Sequence, residues 1–200
     1  MKALRFCRPF VIAALAVTVA TAVPAADVYS VKFGFAGTTQ DEVNGQPALE
    51  SVKATAANLI NIARGRAPNA AVPPSEVLAV VLDCDAALRL IVFDTVTKQS
   101  LVTIVTPTEV NTAGNPKTGV AVVTGKVNAT GGLANSLNGG YLVFTGKASL
   151  DLNGCPTKAS FAVTGVINAT ITDDLGIVTS DVLVLKGKLS LGTKLGTIAP

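Results

Sequence analysis

The chain has 200 residues and no histidine, which excludes Ser-His-Asp and Cys-His catalysis and histidine-ligated zinc, copper or non-haem iron. Its formal net charge of +3 comes from Lys2, Arg5 and Arg8; the rest of the chain has 13 basic and 13 acidic residues. Nucleic-acid binding is therefore not indicated, and neither a cofactor nor a metal is expected.

The first 25 residues have the organisation of a secretory signal. Three basic residues precede an uncharged apolar run over residues 10–20, and Val23 and Ala25 are small residues of the kind a signal peptidase recognises. The run is shorter than the roughly 20 residues of a membrane span, and no later run is long enough. The sequence predicts a signal peptide over 1–25, cleaved near Ala25, and one β-rich domain over 26–200, in the periplasm or outside the cell.

The first elements are one strand, an ambiguous stretch and a helix. Residues 28–36 alternate between apolar and polar and predict a half-buried strand, and residues 41–47 predict a loop. A short strand over 49–54 and a helix over about 56–64 follow, although one long helix from Ala48 would also fit the apolar spacing. Thr55 is a suitable N-cap, and Gly65 can end the helix in the left-handed conformation.

The remainder of the chain predicts strands. Residues 77–82 and 88–93 predict strands that are apolar on both faces and should be covered on both sides. The last four predicted strands alternate strictly between apolar and polar residues. The predicted strands are 77–82, 88–93, 101–105, 118–129, 141–152, 158–171 and 181–191, with a polar loop over 107–117. The predicted fold is mainly β: an antiparallel meander of about eight strands forming a barrel or sandwich, with one short helix near 56–64.

The last four strands contain an internal repeat, TGKVNAT from Thr124 and TGVINAT from Thr164, within a duplicated strand-pair meander over 118–191. Each strand has a glycine near its middle, and the centres of the three hairpins fall in predicted loops. We therefore expect a row of glycines across neighbouring strands that sharpens the curl of the sheet or receives the helix. The four are Gly125, Gly146, Gly165 and Gly187. Asn128 and Asn168 are in N-glycosylation sequons and would be modified in a eukaryotic host.

Two cysteines remain after the signal peptide, Cys84 and Cys155. In an exported chain they most simply form one disulfide, which would close a loop of about 70 residues and contribute roughly 4 kcal/mol in the chain-entropy model. Two free thiols are the alternative.

Two groups of charged side chains are candidates for function. Asp83, Asp85 and Asp94 surround the hairpin of Cys84 and could serve glycoside hydrolysis or bind calcium, although turn aspartates usually hydrogen-bond nearby backbone. Four lysines on the polar face of the C-terminal sheet could bind an anionic ligand, or form a solvated face that discourages aggregation. These are Lys126, Lys147, Lys186 and Lys188.

The sequence favours a secreted non-enzymatic β-protein, a binding protein or a structural protein of a surface or matrix, with a small apolar ligand or another surface protein as partner. The first alternative is a histidine-free hydrolase or isomerase in a barrel pocket, which requires acidic residues such as Asp83, Asp94 and Glu109 to converge. The second is an outer-membrane β-barrel, against which stand only seven Phe and two Tyr, too few for two aromatic girdles.

Overall fold

The structure, a computed structural model, describes residues 25–43, 46–52, 55–83, 87–115, 118–127, 133–150, 156–172 and 175–198. Within these ranges the chain forms one antiparallel sheet of nine strands and one helix. The elements are β1 (Ala26–Val43), β2 (Gln46–Val52), α1 (Ala56–Ala63), β3 (Glu76–Leu82), β4 (Leu88–Asp94), β5 (Gln99–Asn115), β6 (Thr118–Val127), β7 (Ser136–Leu150), β8 (Pro156–Thr172) and β9 (Val178–Ile198).

Eight of the strands close into a barrel, which confirms the predicted mainly-β fold. From β3 to β9 each strand pairs with the next, and β9 pairs with β1 to complete the ring. On its other side β1 pairs first with β3, through Val28–Ser30, and then with β2, through Gly37–Val43. β2 is therefore an additional strand beside the ring.

Strands β7–β9 alternate between an apolar inner face and a mainly polar outer face, as a period of two residues requires. On β8, for example, Phe161, Val163 and Ile167 are buried, whereas Ala162, Thr164 and Asn168 are exposed. The inner face of β7–β9 is formed mainly by the buried side chains of Leu137, Leu142, Phe144, Ala159, Phe161, Val163, Ile167, Ala169, Leu183, Leu185 and Leu189. The apolar core is thus the interior of the barrel.

The hairpin of β3 and β4 is buried on both faces, as predicted from its two apolar runs. One face contributes Leu78, Val80 and Leu90 to the interior. The other forms a second cluster around Ile91 and Phe93, in which the end of β9 and the start of β1 also pack. The two ends of the chain's β-structure therefore cover the outside of this hairpin.

Helix α1 begins and ends where the sequence predicts. Thr55 and Asn58 form a capping box, and Gly65 follows the helix with a φ of 74°. Every residue from Leu59 to Ala63 is buried, so this part of the helix is surrounded on all sides, whereas Ala57 in the first turn is exposed. It contacts β3 and β7, which are four strands apart in the ring of eight and so belong to opposite walls. No helix within the described ranges is long and apolar enough to cross a membrane.

Several strands are longer than predicted, and the prediction of a polar loop over residues 107–117 is wrong. Strand β5 continues through this segment to Asn115 and pairs with β6 along its length. The register shifts between Pro107 and Glu109, so the proline occupies an irregularity in the ladder, where a missing N–H is tolerated. β1 likewise continues to Val43 in place of the loop expected from residue 41.

The expectation that the four glycines lie opposite one another is also wrong. Gly125 and Gly165 both pair with Leu142, whereas Gly146 pairs with Phe161 and Gly187 with Val163. Each glycine thus faces a large apolar residue of a neighbouring strand. Small and large residues alternate around the barrel, which is how a narrow barrel fills its interior.

The two hairpins of the internal repeat differ in register. Gly125 pairs with Leu142 in the first hairpin, and its counterpart Gly165 pairs with Leu185 in the second. The repeat continues beyond TG-x-x-NAT, since LVFTGKASL from Leu142 is similar to LVLKGKLSL from Leu183. This match aligns Leu142 with Leu183, so the second hairpin is shifted by two residues. A shift of two residues keeps every side chain on its own face of the sheet.

Candidate functional site

Asp83 and Asp94, the two described members of the proposed acidic cluster, do not converge. Asp83 follows β3 at one end of the β3–β4 hairpin, and Asp94 pairs with Glu76 at the other end. Their backbones are separated by the length of the hairpin, roughly 20 Å at the rise of a β-strand. Glu109 is exposed on β5, and Asp85 lies outside the described residues. Among described residues no group of three or more candidate ligands could hold a metal ion.

The two described aspartates of the proposed cluster have local structural roles. Asp94 Oδ1 accepts hydrogen bonds from the backbone N–H groups of Val96 (2.7 Å) and Thr97 (3.1 Å), which lower the pKa of its carboxyl group. These bonds hold the β4–β5 turn, where Lys98 has a φ of 59°. Asp83 forms an ion pair with Arg89 at 3.5 Å. Both residues belong to turns, as aspartates in such positions commonly do.

A network of charged and amide side chains anchors the loop between α1 and β3. The carboxylate of Glu76, whose side chain is 9% exposed, pairs with both Arg64 and Arg66. The fully buried Asn61 donates from Nδ2 to the carbonyl oxygens of Pro68 (3.1 Å) and Ala70 (2.7 Å). The network fixes the end of the helix against the start of β3, and the helix in turn fills the barrel between opposite walls.

The lysines predicted to form a basic stripe are all exposed on the outer face of the barrel, and two further exposed lysines lie on the same face. We name this set the lysine sector: Lys32, Lys126, Lys147, Lys158, Lys186 and Lys188. The cross-strand register connects its members.

One row of the lysine sector crosses four strands. Lys147 on β7 pairs with Ser160 on β8, Ser160 pairs with Ser190 on β9, and Ser190 pairs with Lys32 on β1. At the usual strand spacing this row is about 14 Å long. Lys188 and Lys186 precede Ser190 on the same face of β9, at intervals of about 7 Å. The lysines are thus close enough to act on one extended anionic surface.

Acidic residues do not balance the lysine sector. Strands β6–β9 contain five of the six sector lysines and one acidic residue, Asp181. Strand β1, which contributes Lys32, also contains Asp27, Asp41 and Glu42. The four ion pairs between described side chains use Arg64, Arg66, Arg89 and Lys194, and none uses a lysine of the sector. The pKa of Lys194 is raised by its hydrogen bond to Asp27. The sector therefore presents positive charge to solvent.

A strip of apolar side chains adjoins the lysine sector. Tyr141 on β7 pairs with Val166 on β8, and Val166 pairs with Val184 on β9. Tyr141 is 54% exposed, Val184 is 48% exposed, and Val182 is the next outward residue of β9. We name Tyr141, Val166, Val182 and Val184 the apolar strip. Sequence reasoning missed it, because these positions alternate with the inward leucines and look like ordinary β-formers.

Lysines flank the apolar strip on two sides. Lys126 on β6 pairs with Tyr141 at one end, and Lys186 follows Val184 on the outer face of β9. Apolar side chains are also exposed in the β8–β9 turn, where Leu175 is 85% exposed. The arrangement can bind a partner that offers both negative charge and apolar groups.

Other predicted residues have simpler outcomes. Asn168 is exposed on the outer face of β8. Cys84, Cys155 and Asn128 lie outside the described residues, as does the predicted signal peptide except for Ala25. No protein-family model, curated protein or solved structure matches this chain.

Proposed function

We propose that the protein is an exported, non-enzymatic β-barrel that binds a partner at a cell surface or matrix through its outer face. The observation that carries this proposal is the lysine sector with its adjoining apolar strip, exposed on one wall of the barrel. Adjoining exposed apolar side chains and positive charge are features of surfaces that bind a partner.

The amino-terminal sequence supports export. Residues 1–25 have the charge and apolar run of a signal peptide, with cleavage near Ala25. A disulfide between Cys84 and Cys155 fits an oxidising compartment. We further propose that residues 118–191 arose as a duplicated strand pair, which accounts for the repeated TG-x-x-NAT and for the extension of one basic wall.

The alternatives have less support. A carboxylate-based enzyme requires acids that converge, and Asp83 and Asp94 are at opposite ends of a hairpin. An outer-membrane barrel has an apolar outward face, whereas the described outer face of β7–β9 is rich in lysine, serine and threonine. A small apolar ligand inside the barrel would compete for space with α1, which reaches both walls.

Export is tested by native mass spectrometry of the protein from the exported fraction. We expect a chain that starts near residue 26 and is lighter by two hydrogens than the reduced chain. A protein that retains residues 1–25 and stays in the cytoplasm would contradict export. A mass equal to that of the free thiols would contradict the disulfide alone.

Binding through the outer face is tested without knowledge of the partner. The exported protein is washed from intact cells or matrix at increasing salt, and the retained fraction is measured. The charge reversal Lys147→Glu with Lys188→Glu should release it at lower salt than the wild type, because it removes positive charge from the sector. The control, Lys98→Glu in the β4–β5 turn, should be retained like the wild type. Equal retention of all three would refute the proposed face.

A further inference from the structure

We propose that the outer face of β7–β9 binds the surface of an anionic lipid membrane, with the lysine sector at the headgroups and the apolar strip between them. This inference rests on the proposed function and names its partner. The protein would lie on the membrane as a peripheral protein and would not cross it.

Charge complementarity is the first argument. Five of the six exposed lysines of the sector are on β6–β9, and these four strands contain one acidic residue, Asp181. A lysine held near an anionic bilayer contributes about 1 kcal/mol to binding, so several are needed for stable attachment. Lysines on β7, β9 and β1 are spaced by about 7 to 14 Å, and their long side chains can reach a common plane from a convex wall.

The apolar strip favours an anionic lipid surface over a soluble polyanion. A nucleic acid or an anionic polysaccharide would satisfy the lysines but would leave Val182 and Val184 exposed. In a bilayer these valines can enter the boundary between headgroups and acyl chains, and Tyr141 is suited to the same depth because its ring is apolar and its hydroxyl group is polar. Lys126 and Lys186 flank the strip, where they would meet phosphate groups.

A second copy of the chain is a poor occupant of this face. In a symmetric dimer the same patch of each protomer meets its partner, so the two lysine sectors would be brought together. Like charges at such an interface oppose association. The β8–β9 turn is not part of the proposed contact, because Asp173 and Asp174 precede Leu175 in the sequence and carboxylates are repelled by anionic lipid.

The experiment is co-sedimentation of the mature protein with vesicles of neutral lipid, with or without about one third anionic lipid. We expect binding to the anionic vesicles only, with affinity falling as salt increases. The triple variant Lys147→Gln, Lys186→Gln and Lys188→Gln should bind about 100-fold more weakly, at roughly fivefold per lysine. The single variant Lys188→Gln should bind about fivefold more weakly, whereas Lys98→Gln, which removes one charge away from the sector, should bind like the wild type.

A second pair of variants tests the apolar strip. Val182→Thr with Val184→Thr retains shape and strand preference, and we expect it to weaken vesicle binding about tenfold. Leu175→Ser removes a more exposed apolar side chain in the turn and should have no effect. Circular dichroism of each variant establishes that the barrel is folded.

Three outcomes would overturn the lipid assignment. These are failure to bind anionic vesicles, equal binding of the wild type and the valine variant, and displacement from vesicles by the Leu175→Ser change alone. The protein could instead bind a soluble sulfated polysaccharide as tightly as it binds vesicles, with the same affinity in the valine variant. That result would assign the face to a polyanion. If the protein does not bind anionic vesicles but charge reversal still releases it from cells, the proposed function stands and only the lipid partner is rejected.

Discussion

At Gly146 the neighbouring strand lies too close for a side chain. A Cβ atom added there would be 2.0 Å from the carbonyl oxygen of Ser160 and 2.8 Å from Cα of Phe161. Because both are backbone atoms of β8, the clash cannot be relieved by rotating a side chain. We expect Gly146→Ala to lower the free energy of unfolding by about 2–3 kcal/mol, measured by urea denaturation.

Gly196 provides the matched control for this substitution. It is also in a strand, but the nearest atoms to an added Cβ are 3.7 Å away, which is ordinary contact. Gly196→Ala should change stability by about 0.5 kcal/mol or less. Equal effects at the two positions would mean that the close approach of β7 and β8 does not explain the mid-strand glycine.

Asp94 should make stability depend on pH in the acidic range. Hydrogen bonds from Val96 and Thr97 lower the pKa of its carboxyl group in the folded state. A lowered folded pKa stabilises the protein above the unfolded pKa of about 3.9, and this contribution is lost as the pH falls through the folded value. In Asp94→Asn the acceptor oxygen remains and the titration is removed. The wild type should be the more stable at neutral pH, and the difference should shrink towards about pH 2; a constant difference would contradict this.

At the scale of the element, α1 depends on its cap. Thr55 Oγ1 accepts from the backbone N–H of Asn58 at 3.2 Å, and Asn58 Oδ1 accepts from the backbone N–H of Thr55 at 3.1 Å. Thr55→Ala should destabilise the protein by about 1 kcal/mol in thermal or urea unfolding, whereas Thr55→Ser should be close to the wild type. A loss of the same size in the serine variant would show that the methyl group matters and the cap does not.

An element could be predicted from the sequence where the residues that specify it are adjacent in the chain. The helix was predictable because its cap, its apolar positions and Gly65 are adjacent in the sequence. The predicted strand over 101–105 is shorter than β5 because the polar residues after Pro107 resemble a loop, and only pairing with β6 makes them a strand. The ends of β9 were missed for the same reason, since residues 194–198 are held by contacts with β1 and with Phe93.

The lysines of the candidate site could be predicted from the sequence, but their arrangement across the strands could not. The lysines were identified because strict alternation on β7–β9 assigns them to the polar face. Their alignment with Lys32 and the continuity of Tyr141, Val166 and Val184 depend on register, which two hairpins of similar sequence adopt differently. The expectation that Asp83 and Asp94 converge is wrong because they are near in sequence but lie at opposite ends of a complete hairpin.

At the scale of the molecule, one wall of the barrel is basic and the opposite hairpin of β3 and β4 is apolar on both faces. The pairing of β1 with β9, which closes the ring, joins residues separated by most of the chain. Pairings of such long range generally make folding slow. The closing strands also provide the cover for the outside of the β3–β4 hairpin, which connects closure of the ring to burial of the second apolar cluster.

That connection gives a prediction for the end of β9. Leu195 and Ile198 pack against the cluster of Ile91 and Phe93, and each is partly buried. The double variant Leu195→Ala with Ile198→Ala should lower the free energy of unfolding by about 2–3 kcal/mol, less than two fully buried residues would cost. It should also increase binding of an apolar dye, because the outside of the hairpin loses its cover.

Thr197 is the control for this change. It is exposed between the two apolar residues and pairs with Asp27 through the backbone, so Thr197→Ala should unfold like the wild type. Urea denaturation of the mature protein compares the three chains. If the double variant and Thr197→Ala were equally stable, the end of β9 would contribute backbone pairing alone. The expected difference would instead assign the last strand two roles, closing the barrel and covering its central hairpin.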